Sequence, residues 1–174
     1  NLPDVNGNAE RDGEAYGAAD VKYHADGSVS SLSLDIAGAY PKQTAVRRWT
    51  RTVSLRRPGT ITLREDYQLE RYLAPAVENF LTPLVPGVGE KGVVTFGSTG
   101  AGEQAVRLHY DAGAFTAAVD TVQITDGTPV DDHAPQGSRN GRMFQNWGPV
   151  LYRVRLTARK GGLHNNYMFT ISER

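Results

Sequence analysis

The sequence predicts an all-β protein, an antiparallel β-sandwich of large stacked sheets with few or no helices. Three observations carry that prediction. Apolar and polar residues alternate along many short stretches, the period of a half-buried strand. Turn pairs punctuate those stretches: Asn6-Gly7, Asp12-Gly13, Asp26-Gly27, Asp126-Gly127 and Asn140-Gly141. Such pairs supply the left-handed backbone of tight turns. Helical periodicity is nearly absent, and its one candidate, near Tyr72–Leu81, is interrupted by Pro75. Many short strands with Gly-rich turns build sheets packed face to face.

In chain order the expected strands are Ala19–Ala25, Val29–Ile36, Val46–Arg56, Thr60–Glu70 and Ala76–Thr82, then Gly92–Phe96, Ala105–Tyr110, Phe115–Thr125, Val150–Arg159 and Tyr167–Ser172. The polar stretch Gly127–Gly141 reads as a long surface loop. The 174 residues fit a single domain spanning 1–174, with enough chain to bury a core unaided. The chain opens at Asn1 on patterned sequence, without an initiator Met or leader, and is expected to be part of something longer.

The 19 Lys+Arg balance 19 Asp+Glu, so the basic excess usual in a nucleic-acid binder is missing. No cysteine is present, which excludes disulfides and thiolate metal sites. No apolar run approaches the ~18–20 residues of a membrane span.

The most charged stretch is Arg47–Gly59, RRWTRTVSLRRPG. Alternate strand residues share a face. One face takes Val46, Arg48, Thr50, Thr52, Ser54 and Arg56 and suits solvent. The other takes Trp49, Arg51, Val53 and Leu55, where Trp49, Val53 and Leu55 read as core. Arg57-Pro58-Gly59 turns the chain into the next strand. Matching apolar faces across that hairpin gives the pairs Leu55/Ile61, Val53/Leu63, Arg51/Glu65 and Trp49/Tyr67. The one inward arginine thus meets the one inward glutamate, and the two are expected to pair. Arg47, Arg48, Arg56 and Arg57 read as a solvated face.

No catalytic constellation stands out. His24, His109, His133 and His164 are not at metal-ligand spacing. His109 has strand spacing, His164 precedes Asn165 and Asn166 in an expected turn, and Asp131-Asp132-His133 falls in the polar loop. GSTGAG (Gly97–Gly102) opens no helix and reads as a strand-to-strand turn. Glu65 and Asp66 are strand neighbours and point to opposite faces. Asp35 and Asp120 lie within strands and need partners if buried. Trp49, Trp147, Tyr152 and Tyr167 are expected in the core, with stacking on sugars as the alternative.

Four stretches occur in an order with a known parallel. Asn1–Val21 (NLPDVNGNAERDGEAYGAADV) leads into Leu32–Pro41 (LSLDIAGAYP). Val46–Leu69 (VRRWTRTVSLRRPGTITLREDYQL) follows, and Asn146–Ala158 (NWGPVLYRVRLTA) stands near the end. This set resembles the C-terminal β-sheet region of heparinase II/III-like polysaccharide lyases, whose relatives include enzymes acting on alginate. The resemblance covers most of the chain and is weakest over Thr82–Gly102.

The resemblance implies a parent enzyme that cleaves acidic, uronate-containing polysaccharides by β-elimination, secreted or periplasmic. In that family an N-terminal helical toroid supplies most catalytic residues. A Tyr or His base removes the C5 proton, and a polar side chain offsets the neighbouring carboxylate. Some members hold a metal ion through a His standing just before an Asn-x-Pro such as Asn1-Leu2-Pro3. No catalytic, cofactor or metal residue of this chain matches the family's own. The expected role is structural or substrate-supporting, inactive alone. Its expected partners are the toroid and upstream sheet of a parent chain and an acidic polysaccharide, with no nucleic acid. An autonomous carbohydrate-binding module, using Trp49, Trp147 or Tyr152 as a platform, and a non-enzymatic interaction sandwich are the alternatives.

Overall fold

The computed structural model describes residues 1–97, 105–124, 144 and 146–173. The chain contributes strands β1 (Ala19–Ala25), β2 (Val29–Asp35), β3 (Val46–Arg56), β4 (Thr60–Leu69) and β5 (Val77–Thr82), then β6 (Pro86–Gly87), β7 (Val93–Phe96), β8 (Val106–His109), β9 (Phe115–Gln123), β10 (Val150–Ala158) and β11 (His164–Glu173). Two antiparallel sheets result, one of eight strands in the order β1-β2-β3-β4-β11-β8-β7-β6 and one of three, β5-β10-β9. Helical structure among the described residues is confined to 3-10 turns at Ala37–Ala39 and Lys42–Thr44 and to helical backbone at Phe144, Asn146 and Trp147.

The β3–β4 hairpin has the expected register: Trp49 faces Tyr67, Arg51 faces Glu65, Val53 faces Leu63 and Leu55 faces Ile61. It forms the middle of the large sheet, with β2 on one flank and β11 on the other. The core lies where the small sheet covers it. Trp49 stacks on Tyr67 with centroids 4.5 Å apart and planes 13° from parallel. Tyr67 leans on Tyr167, Tyr167 meets Phe115 edge-on, and Phe169 touches both Phe115 and Phe80. Phe115 and Phe80 belong to the small sheet, so this aromatic chain ties the two layers together. Each such pair is worth roughly 0.5–1.5 kcal/mol beyond the area it buries.

Three expectations are corrected. Val53 and Leu55 are not core: each is 37% exposed, while Trp49 and Leu63 on the same face are buried. The three-stranded sheet is narrower than the sheet it covers and stops short of the hairpin tip. Val46 does not join the wet face. The register slips between Val46 and Arg48, so Arg47 is an extra residue in a bulge and Val46 turns back against the core. His164, Asn165 and Asn166 are not a turn but the start of β11. The two-residue strand β6 has too little sequence to show alternation.

Candidate functional site

The strongest concentration of chemistry in the described residues lies between the sheets. Alternation aims Arg51 of β3 and Glu65 of β4 inward, and Glu78 of β5 meets them from the opposite layer. Glu65 is fully buried and Glu78 is 1% exposed. Arg51 donates through Nε to Glu65 Oε1 at 2.5 Å, and its Nη2 stands 2.5 Å from the same oxygen. Trp49 Nε1 donates to the other oxygen, Oε2, at 2.6 Å. Arg51 Nη2 also reaches Glu78 Oε2 at 3.3 Å, and Nη1 donates to the Asn1 carbonyl at 2.7 Å. Glu78 Oε1 has no hydrogen-bond partner among the described residues.

One guanidinium thus serves two buried carboxyls. Burial pushes Glu78 well above the usual carboxylate range, and the charge of Glu65 adds to the effect. Burial also pushes Glu65 up, opposed by Arg51 and by the hydrogen bonds from Arg51 and Trp49. With both its oxygens held by donors, Glu65 is the ionised member. Burial favours the protonated form of Glu78. This arrangement ties the N-terminal segment and both layers together.

Alternation in β5 carries the signal for Glu78: it shares the inward side with Phe80 and Thr82, opposite Leu156, Val154 and Tyr152 of β10. Sequence reasoning passed over it because the hairpin accounted for Arg51 without it.

The other candidates are dispersed. His24, His109 and His164 stand on three different strands, all exposed on the outer face of the large sheet. His133, the triplet Asp131-Asp132-His133 and Ser98–Gly102 of GSTGAG lie outside the described residues. No three His, Cys, Asp or Glu side chains converge among the described residues. Tyr40 donates its hydroxyl to the Pro3 carbonyl at 2.6 Å, and burial holds its pKa far above the ordinary value. Burial, helped by the Tyr67 hydroxyl, does the same to Tyr167. Neither is poised as a base. A cavity of about 490 Å³ beside Tyr16, Gly38, Tyr40 and Lys42 brings no acid–base pair together.

The expected partners of the strand acids are present. Asp35 Oδ1 accepts from the backbone N–H groups of Ala37 and Trp49. Asp120 accepts two parallel bonds from Arg153, 2.9 Å from Nε and 2.8 Å from Nη2. Glu65 and Asp66 point to opposite faces, and Asp66 accepts from Arg48 at 3.0 Å. Trp49 is wholly buried and offers no sugar platform, whereas Trp147 is 50% exposed.

No family model matches the sequence, and no curated protein matches it. Solved structures do. The heparan sulfate lyase HepC from Pedobacter heparinus matches at a TM-score of 0.67 and 10% identity, over 98% of this chain and 23% of its own. A heparinase III matches at 0.68 and 9% identity, over 100% of this chain and 24% of its own. Another heparinase III matches at 0.52 and 10% identity, over 90% and 20%. The chain therefore spans about a quarter of the length of the lyases it is similar to, and at this identity the likeness is one of fold: this chain has the fold of a β-sandwich found within heparin lyases.

Proposed function

We propose that the chain is the C-terminal β-sandwich domain of a polysaccharide lyase that acts on acidic, uronate-containing polysaccharides by β-elimination. It supports the catalytic part, or helps to hold substrate, and does no chemistry alone. One observation carries this reading: the whole chain matches a single quarter-length stretch of heparin lyases. The ordered motifs from Asn1 to Ala158 point the same way. Its partners are then the helical toroid and further sheet of the parent chain, together with the polysaccharide, a glycosaminoglycan or alginate. A metal ion in that parent would draw its ligands from elsewhere. The parent would be secreted or periplasmic.

Uncovered apolar side chains support a partner within a longer polypeptide. Tyr23, Leu32 and Val53 stand in one row on the inner side of the large sheet, with Leu55 in the next. They are 72%, 40%, 37% and 37% exposed, although they share the face that buries Trp49 and Leu63.

The test is a lyase assay on this chain with heparan sulfate, heparin and alginate. The expected result is no rise in ultraviolet absorbance from unsaturated product. Sustained turnover would place the chemistry inside this chain and overturn the supporting role.

A further inference from the structure

The outer face of the eight-stranded sheet has a charge pattern that the fold does not require. One row crosses it as His24, Ser31, Ser54, Thr62, Thr170 and His109, on β1, β2, β3, β4, β11 and β8. The next row on one side carries Lys22, Ser33, Thr52 and Arg64. The next on the other side carries Arg56, Thr60, Ser172 and Arg107. All these side chains are exposed or half-buried.

Within the strands no acid stands in these three rows; Asp26, at the β1–β2 turn, is level with the Arg56 row and its carboxylate is taken up by Ser28, Val29 and His24. The strand acids of this face, Asp35 and Asp66, lie together one row beyond Lys22 and Arg64. Both are occupied, Asp35 by two backbone N–H groups and Asp66 by Arg48. Among the described residues, Lys22, Arg56, Arg64 and Arg107 enter no ion pair. Four unmatched cations around a strip of hydroxyls is a local imbalance in a chain whose totals cancel.

We propose that this face binds a sulfated glycan laid along the Ser/Thr row, its sulfates meeting Lys22 and Arg64 on one flank and Arg56 and Arg107 on the other. Strands lie ~4.8 Å apart and residues rise ~3.3 Å along them. Lys22 and Arg64, like Arg56 and Arg107, are therefore three strands and roughly 14 Å apart, and the two flanks are about 13 Å apart. A ligand that satisfies both flanks must carry anions on both of its edges. A sulfated sugar does so most densely, since several positions of one ring bear sulfate, whereas a plain polyuronate has one carboxylate per ring and reaches both edges only through successive rings. Guanidinium groups recognise such oxyanions with paired N–H donors, and the hydroxyl strip can bond to ring hydroxyls between them.

Nucleic acid fits the face less well. Its six strands present no Phe, Tyr or Trp outward, so no platform exists for stacking single-stranded bases. A broad sheet face also cannot enter a duplex groove as a helix or two-stranded ribbon does. The choice of a glycan rests on the lyase reading above; the layout of charge does not.

The test is calorimetric titration of the full 174-residue chain at low and physiological salt, with three ligands: a heparin oligosaccharide, an unsulfated polyuronate of equal length and a single-stranded oligonucleotide of equal charge. The heparin oligosaccharide should bind, weakening as salt rises. Lys22→Gln with Arg64→Gln, and Arg56→Gln with Arg107→Gln, should each weaken binding severalfold. All four together should weaken it by about tenfold or more, the summed effect of several surface ion contacts. Melting curves should stay unchanged, because these groups pair with no acid. Arg153→Gln with Arg155→Gln, on the small sheet, should change affinity by less than about twofold.

Absence of heparin binding at low salt would overturn the proposal. So would equal loss in the small-sheet control, or equal or tighter binding of the polyuronate or the oligonucleotide. Such results leave the lyase reading standing. Product formation by this chain would sink that reading instead and leave the binding result untouched.

Discussion

Two carboxyls, Glu65 and Glu78, share the guanidinium of Arg51 between the sheets, and burial favours the protonated form of Glu78. A carboxyl whose pKa is raised by folding binds more protons folded than unfolded. Its contribution is most favourable below the ordinary value of 4.5 and is lost as pH climbs through the raised folded value. Glu78→Gln keeps the shape and is neutral at every pH. At pH 7 the variant should be more stable than the parent, because it needs no proton held above the usual carboxylate range. Towards pH 4 the difference should vanish. Urea unfolding between pH 4 and 8 measures this, and a less stable Glu78→Gln at pH 7 would show that Glu78 is ionised. Glu65→Gln should act in the opposite sense. It strips Arg51 of its charge partner and costs roughly 3–5 kcal/mol at neutral pH, the penalty for breaking a buried pair.

At the scale of elements, one side chain of the N-terminal segment ties it to two distant stretches of chain. Asn6 donates through Nδ2 to the carbonyls of Thr44 and Arg71, both at 2.8 Å. Its Oδ1 accepts from the N–H groups of Leu73 at 2.8 Å and Ala74 at 3.2 Å. It is 6% exposed and sits at φ 51°, the left-handed region that Asn tolerates better than Ala. Asn6→Ala abandons four backbone hydrogen bonds, one buried and three partly buried, and strains the turn, so a loss of about 2–4 kcal/mol is expected. Asn6→Asp should recover only part of that, because it can accept but not donate. Thermal unfolding of the pair decides the point: equal stabilities would mean that the donor bonds contribute nothing. The sequence marked Asn6-Gly7 as a turn, and the backbone agrees. The reach of the side chain to Thr44 and to residues 71–74 was not legible, since those partners depend on tertiary approach. The β3–β4 register was legible because one inward charge on each strand and a fixed parity leave little freedom. The bulge at Arg47 was not, because no glycine marks it.

At the scale of the molecule, parity named the inner face of the large sheet but not how far the second sheet extends over it. Coverage depends on how strands distant in sequence pair, and β5-β10-β9 places only three strands over eight. Tyr23, Leu32, Val53 and Leu55 are left in solvent for that reason. Contiguous apolar exposure of this kind marks a contact surface. Leu32→Ser, Val53→Thr and Leu55→Thr together remove most of its apolar character while leaving the buried Trp49–Tyr67 end untouched. In this chain the triple variant should bind less of a hydrophobic dye and self-associate less. Its unfolding free energy should change by no more than about 1–2 kcal/mol, because partly exposed side chains lose little on truncation. Placed in the longer lyase proposed above, the same changes should cost several kcal/mol, as core truncations do. Dye fluorescence, sedimentation and urea unfolding of both forms read the difference. A large loss already in this chain would mean that the face is covered from within. Equal small losses in both forms would mean that no neighbouring element packs on it.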